Sequence, residues 1–137
     1  MNHFSYEEIG LGMEEHFMVD VTEETQSLFR QITGDLNPLH SDSEFAENKG
    51  FDGRVAFGML TASYLSTLAG VYLPGENSLI QSVEIKFVKP VYIGDSLIIS
   101  GTVAEKEDRF HIIRLKVTIQ NQRLEKVLRG SMTIKVL

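Results

Sequence analysis

No cysteine occurs among the 137 residues. Disulfide frameworks, thiolate nucleophiles, cysteine-held zinc and iron-sulfur clusters are therefore excluded, and a reducing cytoplasm suits the chain. Positive charge is scarce too: 13 Lys and Arg stand against 19 Asp and Glu, a formal net charge of −6. That balance repels a phosphate backbone, and no basic cluster interleaved with aromatics offsets it, so nucleic acid is not an expected partner. Lys86, Lys89, Arg54 and Arg123 can still make a local basic rim, although solvated strand-end lysines are the plainer account of Lys86 and Lys89. Met1 to Gly12 has neither a basic lead-in nor an apolar run of signal-peptide length, so export is not expected.

What is present suffices for a core: 42% of the residues are hydrophobic, at the size of one ordinary domain. Phe17 to Val21 alternates as a strand does, and Thr22 follows as a helix N-cap with Glu23 and Glu24 suited to the positive end of the dipole. The helix is expected to run to Thr33, with Leu28, Phe29 and Ile32 on one face and Gly34 as its stop. DLNPLH, Asp35 to His40, cannot be regular helix, because Pro38 lacks an amide donor and pushes Asn37 toward an extended conformation. Ser41 or Asp42 can cap a short second helix ended by Gly50.

Arg54 to Leu73 is apolar nearly all round and uncharged after Arg54, the pattern of a helix buried on most sides. Its length approaches a membrane span, but Gly58, Thr61, Ser63, Ser66, Thr67 and Gly70 dilute it, and a core helix is expected with no membrane partner. After Pro74 and Gly75 the pattern switches to strands at Leu79 to Phe87, Ser96 to Val103, Phe110 to Gln120 and Lys126 to Val136, with turn-like separators. One long helix followed by four strands describes an α+β domain over residues 1–137, in which a curved antiparallel sheet wraps a central helix, the shape of a hot dog.

The segment FRQITGDLNPLHSDSEFAENKGFDGRVAFGMLTASYLS, Phe29 to Ser66, resembles the MaoC-like dehydratases and (R)-specific enoyl-CoA hydratases. The signature of that family is Gly-Asp-x-Asn-Pro-aliphatic-His, a short helix, then Gly-Met opening the central helix; here these are Gly34, Asp35, Asn37, Pro38, Leu39, His40, Gly58 and Met59. VEIKFVKPVYIGD, Val83 to Asp95, is similar to the family's strand-Pro-strand stretch. The resemblance implies the hot dog fold, a homodimer, and reversible hydration of 2-enoyl thioesters to (R)-3-hydroxyacyl thioesters. One departure is Phe57, where many members carry His just before the Gly-Met.

Hydration adds water at C3 and a proton at C2, so it needs one group to take a proton and another to deliver one. The resemblance assigns these roles to Asp35 and His40. With reference pKa values of about 3.9 and 6.5, the two can hold a water between complementary sites near neutrality, with no metal or other cofactor required. The backbone N–H of Gly58, at the start of the long helix, is the candidate oxyanion donor. Asn37 is expected to brace the loop, and Ser66 matches a serine the family places near the pocket. His3, His16 and His111 lack ligand spacing and read as structural or exposed. Phe45, Phe51, Phe57, Met59 and Tyr64 line either an acyl tunnel or plain core. The substrate reaches the site as a coenzyme A ester or on an acyl carrier protein; a non-catalytic acyl-thioester binding protein is the alternative of a different class.

Overall fold

The computed structural model describes residues 1–137. Strand β1 spans Glu14–Asp20, helix α1 Glu23–Thr33, helix α2 Ser43–Asn48 and helix α3 Gly58–Thr67, which runs on as a π-helical turn over Leu68–Tyr72. Strands β2 (Ser78–Phe87), β3 (Ser96–Glu107), β4 (Ile112–Gln120) and β5 (Lys126–Val136) follow. With β1 they form one five-stranded sheet in the order β1-β3-β4-β5-β2. Every neighbouring pair is antiparallel.

Alternation decides which face of the sheet is covered. In β4, Ile113, Leu115, Val117 and Ile119 are buried, while Arg114 and Lys116 point to solvent. Leu65, Leu68, Ala69 and Leu73 of the central helical segment join the same core cluster as Leu97, Ile99, Leu128, Met132 and Ile134. The approach is close at Gly101, where a Cβ would lie 2.8 Å from Leu68. A sheet wrapped on a central helix is the hot dog architecture expected from the sequence.

Local chemistry sets the elements that carry the Asp35–His40 loop into place. The Thr22 hydroxyl accepts from Thr25 N at 3.1 Å, and Gly34 closes α1 in the left-handed region at φ 71°, donating to Arg30 O at 2.8 Å. Asp42 Oδ1 accepts from Phe45 N at 3.0 Å and starts α2.

One expectation is corrected. The central helix begins at Gly58, not Arg54, because the preceding backbone is taken by tertiary partners: Val55 N donates to Leu39 O at 3.1 Å and Ala56 N to Val91 O at 2.7 Å. That helix is covered on most sides, as expected: from Gly58 to Tyr72 only Met59, Ser63 and Ser66, on a single stripe, are exposed. In α1, Leu28 and Ile32 of the apolar face are exposed, and the buried residue of this helix is Gln26. No helix is long and apolar enough to cross a membrane.

Candidate active site

The loop after α1 is built from stacked side-chain-to-backbone turns. Asp35 Oδ1 accepts from Asn37 N at 3.0 Å, and Asn37 Oδ1 accepts from Leu39 N at 3.0 Å, capping a single 3-10 turn over Pro38–His40. Asn37 therefore braces the loop, as expected. The other Asp35 carboxylate oxygen has no hydrogen-bond partner within the chain, and Asp35 is exposed.

His40 is held from behind. Its Nδ1 lies 2.7 Å from Val55 O. A carbonyl only accepts, so Nδ1 carries the proton, and in the neutral ring Nε2 is left as an acceptor. Val55 O also accepts from Gln26 Nε2 at 3.2 Å; the same amide donates to His40 O at 3.2 Å, and its Oε1 accepts from Phe57 N at 3.2 Å. Buried Gln26 thus ties α1, the His40 loop and the strand-like segment before α3 to one another. The sequence reading missed Gln26. No local signal marked it, since Gln26 lies off the Leu28, Phe29 and Ile32 face and is buried by partners distant in sequence.

Asp35 and His40 share a cleft of about 360 Å³, lined also by Phe29, Thr33, Phe57, Gly58, Met59 and Phe87. An adjoining, more apolar cavity of about 280 Å³ has His40, Gly58 and Phe87 in its wall as well, together with Phe51, Thr61 and Val127. Phe87 stands at the junction, its ring 3.2 Å from where a Gly58 Cβ would be. Of the five candidate tunnel residues, Phe51, Phe57 and Met59 line these cavities, and Tyr64 packs on the core.

Helix α3 enters the cleft with its amides open. Phe57 at the N-cap position has no side chain able to cap, and the N–H groups of Gly58, Met59 and Leu60 find no acceptor within the chain. Those amides and the helix dipole make a fixed site for negative charge beside Asp35 and His40. Ser66 is not among the residues lining either cavity; it is exposed, two turns along α3.

The candidate basic rim is mostly neutralised. Arg54 pairs with Glu23, and Glu125 takes both Lys89 and Arg123, the latter at 2.7 Å. Hydrogen bonds from Lys89, Arg123 and Asn121 hold the Glu125 carboxyl down at about 2.

The signature loop, the exposed helix start and the fold agree with a comparison to known proteins, in which the model of the MaoC like domain matches residues 7–124. The chain belongs to the MaoC-like domain family. It is 30% identical over 135 residues to the (R)-specific enoyl-CoA hydratase of Rhodospirillum rubrum, covering 96% of this chain and 90% of that protein. It is 33% identical over 131 residues to the 3-hydroxybutyryl-CoA dehydratase of Methylorubrum extorquens, covering 96% and 83%. Among solved structures, the unliganded R-hydratase of Pseudomonas aeruginosa superposes with a TM-score of 0.92 at 28% identity, covering 98% of this chain and 86% of that one. In this MaoC-like chain the departure at Phe57 has a structural use. Its buried ring lies 4.1 Å from the His40 ring and 5.1 Å from Phe29, centroid to centroid, and so backs the imidazole with apolar packing.

Proposed function

We propose that the protein is a hydro-lyase that reversibly hydrates 2-enoyl-CoA thioesters to (R)-3-hydroxyacyl-CoA, with Asp35 and His40 as its acid/base pair and Gly58 N–H as the oxyanion donor. The observation that carries the reading is the Nδ1 bond from His40 to Val55 O, which leaves Nε2 as a proton acceptor on a ring sharing a cleft with a half-engaged carboxylate and unclaimed helix amides. The names of the two relatives support the substrate class.

In the hydration direction, the free oxygen of Asp35 and Nε2 of His40 each accept one hydrogen of a water. The water oxygen bonds to C3 as Nε2 takes a proton, and the C2=C3 π electrons move toward the thioester oxygen. Gly58 N–H and the α3 dipole stabilise that oxygen, a contribution typically on the order of 10² to 10³ in rate. The imidazolium then returns its proton to C2; within the pair His40 carries the proton both ways, while the Asp35 carboxylate orients the water and offsets the charge of the ring, so the enzyme ends with the protons it began with. Dehydration runs the same steps backward.

We also propose that a second copy of the chain covers β2. This strand bonds only to β5, and Leu79, Ile80, Val83 and Phe87 on it are exposed, as are Ile32, Leu36 and Met59 around the cleft. An open apolar edge of this length invites another strand, and a two-fold dimer supplies it from an identical edge.

The test is loss of the enoyl-thioester absorbance on mixing with crotonyl-CoA. Asp35→Asn and His40→Ala are expected to cut turnover by about 10² to 10⁴ while remaining folded. Near-normal activity in either folded variant refutes the assignment. Sedimentation equilibrium is expected to show a dimer that Val83→Lys dissociates; a monomeric wild type removes the second proposal.

A further inference from the structure

A depression of about 690 Å³ lies on the sheet face opposite α3. Lys86 of β2, Lys126 and Arg129 of β5, and Arg114 and Lys116 of β4 line it, with Glu84 the acid among them. Five of the chain's 13 basic residues thus gather on one face of a protein with net charge −6. The floor is low, built from Ala104, Gly130 and Ser131. Arg114 touches Glu105 at 3.7 Å and the Ser131 hydroxyl at 3.3 Å, whereas Lys86, Lys116, Lys126 and Arg129 have no acidic partner within salt-bridge distance.

The strand register sets these cations side by side. Lys86 sits directly opposite Arg129, and Lys116 is diagonal to Arg129 through the Lys116–Ser131 pair. Like charges directly opposite on a sheet destabilise it, so this face is unfavourable until an anion joins it. The patch also lies at the end of the sheet that carries the cleft. Lys86 precedes Phe87 and Lys126 precedes Val127, and each pair puts its cation on the outer face and its apolar member in a cavity wall on the inner face.

We propose that this outer sheet face is a phosphate-binding subsite for the nucleotide end of the coenzyme A thioester, with Arg129, Lys86 and Lys116 as its principal contacts. The proposal rests on the thioester reading above. The nucleotide end carries a pyrophosphate and a phosphomonoester, a cluster of negative charge that matches the unpaired cations. The depression falls within the range of about 300–1,000 Å³ usual for small-molecule sites. Arg129 is suited to bidentate contact with a phosphate, and the thioester end then passes round the Val88–Pro90 turn beyond β2 to the cleft.

The experiment compares crotonyl-CoA with crotonyl-pantetheine, which lacks the nucleotide, in wild type, Arg129→Gln and Lys86→Gln. Each variant is expected to raise KM for the CoA ester about tenfold, with kcat and all parameters for the pantetheine ester unchanged, an effect that fades as ionic strength rises. Equal effects on both esters, or none on either, overturn the subsite. So does a selective loss seen only with a carrier-protein-borne ester, which would assign the cations to the carrier. Should wild type turn over neither ester, the thioester reading has failed, and titration with adenosine 3′,5′-bisphosphate decides the subsite alone. Binding weakened by Arg129→Gln supports it, and no binding to wild type overturns it.

Discussion

Replacing Gln26 by Leu keeps the volume of a buried side chain and removes two donors and one acceptor at once. Three hydrogen bonds are lost, to His40 O, Val55 O and from Phe57 N, each at 3.2 Å. The three partners do not suffer equally. His40 is only half-buried, so water can replace one bond, and Val55 O keeps the His40 Nδ1 proton. Phe57 is 3% exposed, and its N–H is left unpaired. An orphaned buried donor costs about 1–3 kcal/mol and an ordinary neutral bond about 0.5–1.5 kcal/mol net. The expected destabilisation is therefore about 2–3 kcal/mol, or a fall in Tm of roughly 6–15 °C for a chain of this size. Catalysis should fall separately from stability. Val55 O aims His40, so freeing Val55 misplaces the imidazole and lowers kcat by about tenfold to a hundredfold, with KM little changed. Nitrogen-15 NMR of the His40 ring should show the Nδ1–H tautomer in wild type and a mixture in Gln26→Leu. Unchanged Tm, kcat and tautomer in the variant would refute the account of how His40 is held.

Gly58→Ala tests the oxyanion donor without removing it. The added methyl lies 3.2 Å from the half-exposed Phe87 ring, which can shift, so the fold should persist while crowding of the N–H lowers kcat/KM toward the 10² to 10³ that losing such a donor costs; wild-type kinetics would count against the donor. Glu125 gives a pH test. Its folded pKa, held at about 2 by Lys89, Arg123 and Asn121, lies below its ordinary 4.5, so the stabilisation is complete above the ordinary value and is lost as pH falls toward the folded one. Glu125→Gln should lower Tm at neutral pH, with the gap to wild type closing between those two values; a gap independent of pH would contradict the pairing.

Short-range chemistry was readable from residues alone. Thr22 and Gly34 bound α1 because a hydroxyl cap and a left-handed glycine act within a few residues, and the Asp35–His40 loop follows from Pro38 and two Asx turns of the same reach. β4 and β5 kept their expected ends to within two residues because alternation needs only the strand itself. Helix α3 was overextended for the opposite reason. Helix-forming residues at its start are committed instead to Leu39, Gln26 and Val91, all distant in sequence.

The amino-acid sequence by itself determined the family, the fold class and the candidate pair Asp35 and His40, since these rest on a contiguous signature and on local periodicity. Tertiary structure alone decided what holds them. Gln26 acts across 14, 29 and 31 residues, Val55 sets the tautomer of His40 from 15 residues away, and five cations from three strands meet only because antiparallel register brings them to one face. Such contacts depend on how elements pack in space, and no pattern along the chain encodes that distance.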